Sequence, residues 1–161
     1  MRPEKTFMRF RLILLASLIS IVTSLNTGFA QNLLMIRVEN PFPETMVALQ
    51  AAIQAQGYTI SRVQRVDVGL TKSGYQTDLY RIVFFGKADE IQKLSLKYPT
   101  LVPYLPLKIV IFAEGEDTLI LANNMTNLDS FFRKRELRRY FRQWSHDTSR
   151  ILERVATTAA D

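Results

Sequence analysis

The stretch LPLKIVIFAEGEDTLILAN, residues 105–123, predicts a β-hairpin. An apolar run at 105–113 leads into an acidic turn with a glycine at 114–117, and a second apolar run follows at 118–123. Two such runs separated by a short turn are typical of paired antiparallel strands. The first run contains one charged side chain, Lys108. A lysine within so apolar a strand raises the question of what that face of the strand contacts.

The predicted elements outside the hairpin are further strands and helices. Strands are expected at 33–39, 58–70 and 78–86, and helices at 43–57, 87–99 and from about residue 127 onwards. In the second of these strands the alternation slips between Ile60 and Val66, which indicates a β-bulge. The order β-α-β-β-α-β-β-α predicts an α+β fold, with a single, mostly antiparallel sheet of about five strands and the helices on one face.

Residues 1–30 have the features of a secretory signal peptide. A basic start precedes an uncharged apolar core from Leu12 to about Leu25, which is shorter than the roughly 20 residues of a membrane-spanning helix. Cleavage after Ala30 would leave a mature chain that begins at Gln31 and is periplasmic or secreted. The alternative is an uncleaved leader that anchors the protein in the membrane.

The mature chain is expected to consist of an α+β domain at 31–125 and a C-terminal amphipathic basic helix at 126–161. The whole chain has 21 basic and 15 acidic residues, and 17 basic and 14 acidic residues remain without the leader. Since 8 of those basic residues lie within 131–154, the domain itself is close to neutral. This distribution argues against nucleic acid as a partner. The absence of cysteine excludes thiol catalysis and cysteine-based metal sites.

Three strands have one wholly apolar face, which is expected to lie under the helices. That face consists of Leu34, Ile36 and Val38, then Tyr80, Ile82 and Phe84, then Leu105, Leu107, Ile109 and Ile111. The opposite face has one cation in each strand, Arg37, Arg81 and Lys108. Because a buried unpaired cation costs several kcal/mol, this second face is expected to be open to water, a ligand or a partner.

Two hypotheses explain the second face. In the first, the long side chains cover apolar neighbours and keep their charges in water, with Asp67 or Glu39 as ion-pair partners. In the second, the face binds a small anionic or amphipathic ligand or a second subunit. The candidate residues for that binding or dimer face are Arg37, Arg81, Lys108, Phe85, Val110 and Phe112.

The sequence offers little for catalysis. His146 and Asp147 are adjacent on the last predicted helix, but neighbouring helix residues do not face each other, so a surface histidine is expected. No G-x-G-x-x-G or Walker loop is present. We therefore expect a non-catalytic protein with no catalytic residues, metal site or cofactor. An enzyme that uses His146 or surface carboxylates is the runner-up.

The stretch FFRKRELRRYFRQW, residues 131–144, predicts an amphipathic helix. Four arginines share one side of it, and three large apolar residues share another. The arginines are Arg135, Arg138, Arg139 and Arg142, and the apolar residues are Leu137, Phe141 and Trp144. The helix is expected to pack on the sheet with its basic side in solvent. The alternative is an adaptor role, in which the basic side docks to anionic lipid or to an acidic partner.

A family resemblance rests on three stretches: RVENPFPETMVALQAAIQAQGYTI, YRIVFFGKADEIQKL and VPYLPLKIVIFAEGEDTLILA. They resemble the prokaryotic domain-of-unknown-function family three hundred and two over about residues 36–125. The most specific element is Leu105-Pro106-Leu107 with the hairpin that follows. The resemblance implies a TATA-binding-protein-like α+β fold with an antiparallel sheet and helices on one face. It implies no activity and no catalytic residues, and it leaves the leader and the C-terminal helix outside the family core.

Overall fold

The computed structural model describes residues 33–160. The predicted signal peptide and its cleavage point between Ala30 and Gln31 lie outside the described residues, so both stay predictions. The described residues form one compact unit. Within 33–160 no helix is long and apolar enough to cross a membrane.

The order of strands and helices follows the prediction, with short additions. The described strands are β1 (Leu33–Val38), β2 (Thr59–Arg65), β3 (Tyr80–Gly86), β4 (Leu107–Glu114) and β5 (Asp117–Asn123). The described helices are α1 (Phe42–Ala55), α2 (Val66–Lys72), α3 (Ala88–Lys97), α4 (Asp129–Phe132) and α5 (Arg135–Ala160), with 3-10 turns at Pro99–Tyr104 and Met125–Leu128. The sequence did not predict α2, α4 or the two 3-10 turns as separate elements.

The strands form one antiparallel sheet in the order β1-β5-β4-β3-β2. The predicted hairpin β4–β5 lies in its middle, and β4 is the central strand. The register of β2 against β3 shifts between Ile60 and Arg62, which confirms the predicted irregularity in this strand. The α+β fold class with a single antiparallel sheet is therefore confirmed.

The segment 58–70 was predicted as one strand, and that prediction was wrong in its second half. β2 ends at Arg65, and α2 begins directly afterwards. The alternating sequence Val66-Asp67-Val68 fits a strand by pattern, because β-branched residues favour strands. A tertiary contact decides otherwise: Asp67, in the first turn of α2, forms an ion pair with Arg81 of β3.

The helices α1 and α5 pack together on the sheet and form the main core with it. Within α5, one face is buried against α1 and the sheet, as its amphipathic pattern predicted. The fully buried large side chains include Leu49, Ile53, Leu137, Phe141, Trp144 and Ile151 from the helices and Phe85, Ile109, Ile111 and Ile120 from the sheet. Each such side chain contributes about 1.5–3 kcal/mol through removal from water.

The ends of α1 follow from its sequence. Pro43 lies in the first turn, where its missing N–H would have no partner in the helix anyway. Gly57 follows the helix with a φ of +81°, a left-handed conformation that glycine adopts at little cost. The chain reverses there, and the amide of Tyr58 donates to the carbonyl of Ile53 over 3.2 Å. This turn leads the chain directly into β2.

The predicted strand faces are right for β1 and β4 and wrong for β3. Leu107, Ile109 and Ile111 lie in the core, as expected. In β3, however, Val83 and Phe85 are buried, whereas the residues assigned to the core (Tyr80, Ile82 and Phe84) are only half-buried. The register explains the reversal, since Val83 pairs with Ile109 and Phe85 with Leu107, and paired residues share a face.

Arg81 consequently lies on the core side of the sheet. Its side chain is 12% exposed, and its guanidinium pairs with the carboxylate of Asp67, whose side chain is also 12% exposed. The guanidinium also donates to the carbonyl of Tyr80 and lies 5.7 Å from the centre of the Phe42 ring. The ion-pair partner that the first hypothesis named for these cations, Asp67, is therefore the one observed for Arg81.

We predict that Asp67→Asn lowers the free energy of unfolding by about 3 kcal/mol, because it leaves the Arg81 charge without its partner. Urea unfolding monitored by the fluorescence of Trp144, the only tryptophan in the chain, measures this change. The double variant Asp67→Leu/Arg81→Met removes both charges and should be more stable than Asp67→Asn. A double variant that is less stable than Asp67→Asn would contradict this assignment.

The same pair should make stability depend on acid pH. The hydrogen bond from Arg81 lowers the pKa of Asp67 in the folded protein. The stabilisation is then complete above the ordinary aspartate pKa of about 3.9 and is lost as pH falls through the lower folded-state value. Wild type should lose more stability than Asp67→Asn between about pH 5 and pH 3, as measured by urea unfolding across that range. Parallel pH profiles would contradict the assignment.

Asp147 joins α5 to the turn between α1 and β2. Its buried carboxylate accepts hydrogen bonds from the Tyr58 hydroxyl at 2.7 Å and from the Gln56 side-chain amide at 3.0 Å. Burial, followed by the hydrogen bond to Asp147, raises the pKa of Tyr58 far above its ordinary value. The tyrosine therefore stays protonated and remains a donor to this carboxylate.

We expect Asp147→Ala to lower the free energy of unfolding by about 2–3 kcal/mol, since two donors at the helix–turn junction lose a charged acceptor. The neighbouring, exposed His146 provides the matched control: His146→Ala should change stability by less than about 0.5 kcal/mol. Urea unfolding of both variants tests the assignment. Equal losses of unfolding free energy in the two variants would show that the hydrogen bonds to Asp147 do not stabilise the fold.

Candidate functional site

The candidate site is the open face, which we define as the side of the sheet opposite α1 and α5. Its side chains form three rows across the strands, as the register shows. The middle row is Met35, Leu121, Val110, Ile82 and Gln64, in strand order. One outer row contains Arg37, Leu119, Phe112 and Tyr80, and the other contains Leu33, Asn123, Lys108, Phe84 and Arg62. The middle of the face is thus apolar, and charged groups lie only in the outer rows.

The apolar side chains of the open face remain partly or fully exposed. Met35 at the edge of the sheet is exposed, and Val110 and Phe112 on the central strand are half-buried. Phe112 and Tyr80 contact edge to face, with ring centres 5.9 Å apart. On the core side of the same strand Ile109 and Ile111 are completely buried. The contrast shows that α1 and α5 cover one side of the sheet only.

Four of the six candidate residues lie together on the open face: Arg37, Lys108, Val110 and Phe112. The other two, Arg81 and Phe85, lie on the core side, because the faces of β3 were assigned in reverse. Phe85 is 1% exposed and packs edge to face on Tyr58. Neither residue can contribute to a surface on the open face. In the structure, the residues of β3 that lie on the open face are Tyr80, Ile82 and Phe84.

The two cations of the open face occupy opposite ends of it. Arg37 pairs with Glu114 over 2.6 Å, and this hydrogen bond raises the pKa of the arginine. Both side chains of the pair are about half exposed, so the pair contributes little to stability. Lys108 is exposed and forms no ion pair with a carboxylate in the described part of the chain. The question raised by its position in β4 has a simple answer: its amine lies in solvent, at the border of the open face.

A small cavity lies beside Lys108, and core-side residues such as Leu107 and Ala122 also line it. It is lined in part by Tyr104, Asn123 and Thr148, and its volume is ≈ 40 Å³. A water molecule takes up about 30 Å³ of liquid volume, and sites for drug-sized ligands measure about 300–1,000 Å³. This cavity is therefore too small for a ligand of that size.

A larger, polar groove lies between α3 and α5. It has a volume of ≈ 330 Å³ and is lined by Lys93, Glu136, Arg139, Tyr140 and Gln143. The carboxylate of Glu136 is already engaged, since it accepts hydrogen bonds from Lys97 at 2.5 Å and Tyr98 at 2.8 Å. Both hydrogen bonds lower the pKa of Glu136, and the one from Lys97 has the larger effect. The groove therefore presents the charges of Lys93 and Arg139 without a free carboxylate between them.

The structure brings together no catalytic group around His146. This histidine is exposed on α5, whereas its neighbour Asp147 is buried and accepts hydrogen bonds from Tyr58 and Gln56. Across residues 33–160, no group of three or more His, Asp or Glu side chains is placed to hold a metal ion. Nothing in the described geometry therefore favours the runner-up hypothesis of an enzyme that uses His146.

Sequence reasoning missed the β5 contribution to the open face. Leu119 and Leu121 alternate with Thr118, Ile120 and Ala122, which are buried on the core side. Leu119 and Leu121 are the cross-strand partners of Phe112 and Val110. The alternation is present in the sequence, but β5 carries no cation, and a cation among apolar residues was the signal that marked the second face in the other strands.

Comparison with known proteins identifies the domain. The family described as "Domain of unknown function DUF302" matches residues 35–155. The match includes most of α5, so the expectation that the C-terminal helix is an addition to the family core was wrong. Its role in the core explains why, since Leu137, Phe141 and Trp144 are almost completely buried. No curated protein matches the chain.

A solved structure shares the fold. It is the crystal structure of an uncharacterized conserved DUF302 protein from Bacillus stearothermophilus, with 18% sequence identity and a TM-score of 0.70. The alignment covers 78% of this chain and 99% of that one. At this identity the likeness concerns the fold alone. Together with the family match over residues 35–155, it leads to one conclusion: the chain belongs to the DUF302 family, an uncharacterised family with an α+β fold.

Proposed function

We propose that the protein is an exported, non-catalytic binding module that pairs with a second copy of itself through the open face. The observation that carries the proposal is the apolar part of the middle row, left uncovered by α1 and α5: Met35, Leu121, Val110 and Ile82. Contiguous exposed apolar patches of this kind mark interaction sites. Export rests on the leader predicted at residues 1–30.

The layout of the face resembles that of a protein interface. Protein interfaces have an apolar centre, depleted of charge, and a polar border. Here the centre is the middle row, whereas Arg37 and Lys108 lie in the outer rows. A sheet face also suits a second sheet, because two sheets pack face to face at about 10 Å. A second copy offers such a face with the same chemistry.

The size of the face predicts how tight the pairing is. Strands are spaced about 4.8 Å apart and rise about 3.3 Å per residue, so the three rows cover roughly 400 Å² of sheet on each copy. Two copies would bury about 800 Å², below the 1,200–2,000 Å² of a stable interface. We therefore expect a weak, reversible dimer.

A small anionic or amphipathic ligand is the alternative occupant of the face. Binding sites for small molecules are concave and enclose most of the ligand. The open face is a sheet surface, and the cavity beside Lys108 has a volume of only ≈ 40 Å³. The geometry thus favours a second sheet over a small molecule.

We predict that Val110→Glu converts the dimer to a monomer, because it places a charge at the centre of the apolar middle row. Sedimentation velocity on residues 31–161, over a range of concentrations, measures the association. The matched control is Val47→Glu, which changes the same residue type on α1, where Val47 is 67% exposed. The control should dimerise as wild type does. A wild type that is monomeric at all concentrations would contradict the proposal.

The cations separate the dimer from the anion-binding alternative. The double variant Arg37→Gln/Lys108→Gln should retain dimerisation, since charges at the border of an interface contribute little affinity. If an anionic ligand were the occupant, the same variant would lose it together with the two charges. Native mass spectrometry of the protein purified from the exported fraction distinguishes the cases. Extra mass that is present on wild type and absent from the double variant would overturn the dimer in favour of a ligand.

A further inference from the structure

A second surface lies on the helix side of the molecule, where α5 presents a row of arginines. Arg135, Arg139 and Arg142 lie opposite the buried residues of this helix and are exposed. None of the three forms an ion pair with a carboxylate among residues 33–160. Arg138, at their side, is 3.5 Å from Asp129. We define the basic face as Arg135, Arg139 and Arg142 of α5 together with Lys93 of α3.

The groove between α3 and α5 forms part of this basic face. It is lined by Lys93 and Arg139, with Tyr140 and Gln143 as further hydrogen-bonding groups. Its volume of ≈ 330 Å³ lies in the range of small-molecule sites. Since Glu136 is engaged by Lys97 and Tyr98, the groove is positively charged overall. Such a groove suits a phosphate-containing group.

Two strongly exposed apolar side chains lie on the helices that contact α5, namely α3 and α4. Phe131 in α4 is 82% exposed, and Leu96 in α3 is 78% exposed. The residue next to Phe131, Phe132, packs on Phe141 and Tyr104 at ring distances of 5.6 and 5.8 Å, which holds α4 against α5. Phe131 is therefore displayed on a fixed segment, and the fold gives no account of its exposure.

We propose that the basic face docks the protein on a bilayer that contains anionic phospholipid, with Phe131 and Leu96 inserted at the level of the headgroups. Cations beside exposed aromatic and aliphatic side chains are the combination that interfacial membrane-binding surfaces use. The arginines attract anionic headgroups, and the apolar side chains leave water for the acyl boundary. The groove between α3 and α5 accommodates one phosphate headgroup between Lys93 and Arg139.

Other acidic partners fit these observations less well. Nucleic acid would neutralise the arginines, but it would leave Phe131 and Leu96 in water unless bases stacked on the aromatic ring. An acidic protein would need its own apolar pocket for these side chains. A bilayer provides both the negative charge and the apolar layer over the whole basic face.

Flotation of residues 31–161 with phospholipid vesicles tests the proposal. The predicted leader is left out because its apolar core would bind vesicles by itself. We expect binding to vesicles of phosphatidylcholine mixed with phosphatidylglycerol, and no binding to vesicles of phosphatidylcholine alone. Added salt should weaken the binding, since exposed charges are screened.

A charge-matched pair of variants assigns the binding to the basic face. Arg139→Gln/Arg142→Gln should weaken partitioning about 25-fold, at about fivefold for each cation near an anionic surface. The control Arg65→Gln/Lys72→Gln removes the same charge from two exposed positions outside both the basic face and the open face and should bind as wild type does. Equal losses in the two double variants would overturn the proposal, since net charge alone would then explain the binding.

A second pair of variants tests the inserted side chain. Phe131→Ser should weaken binding several-fold, whereas Tyr75→Ser, at an aromatic residue that is 64% exposed elsewhere, should not change it. All these positions are exposed, so the fluorescence of the buried Trp144 should stay that of the folded protein in every variant.

Two outcomes with wild type would overturn membrane docking. One is a failure to bind phosphatidylglycerol vesicles, and the other is binding to polyglutamate or to single-stranded DNA in place of vesicles. The dimer has its own test in Val110→Glu, on the opposite side of the sheet from α5. A failure of one proposal is therefore distinguishable from a failure of the other.

Discussion

The alternation of side chains along β4 is the constraint on which the rest of the structure depends. Leu107, Ile109 and Ile111 point into the core, and Lys108 and Val110 point away from it. Because β4 is the central strand, its pairing with β3 and β5 imposes the same two faces on its neighbours. A shift of one residue would turn every side chain of a strand to the other face, so α1 and α5 could not cover the sheet in any other register.

Charged groups have different surroundings on the core side and on the proposed binding surfaces. On the core side the charged groups that are close to buried are paired: Arg81 with Asp67, and Asp147 with Tyr58 and Gln56. These contacts also join elements that are distant in the chain, since they connect α2 to β3 and α5 to the end of α1. On the surfaces proposed to bind partners, the cations are exposed instead. The nearly buried charges of this domain are therefore paired, whereas Lys108 and the three arginines of the basic face are exposed and form no ion pair among residues 33–160.

Two surfaces on opposite sides of the sheet give the domain a simple functional geometry. In the two proposals, the open face binds a second copy through its apolar row, and the helix side binds a lipid surface through its arginines and Phe131. A dimer formed through the open face would place its two basic faces on opposite outer sides. Such a dimer could bring two anionic surfaces together, or it could bind a single surface through one of its two basic faces. The proposals are thus compatible with each other, although each depends on different residues.

Much of the fold could be predicted from the sequence, because local patterns carry it. The hairpin β4–β5, the irregularity in β2 and the amphipathic helix α5 follow from spacing and from turn residues alone. The candidate site was predicted in part: Lys108, Arg37, Val110 and Phe112 lie on the open face as expected. The β3 contribution was reversed, since both faces of that strand are apolar and the charge of Arg81 was the only guide.

The sequence by itself determined the order of the main strands and helices, the α+β class and the arginine side of α5, because each depends on neighbours along the chain. Only the tertiary structure decided where Arg81 and Phe85 lie and that residues 66–72 form a helix. The reason is physical. A cation on the core side is stable only if a partner reaches it, and that partner, Asp67, comes from an element that folds as a helix rather than as a strand. Long-range pairing therefore overruled a local pattern in that segment.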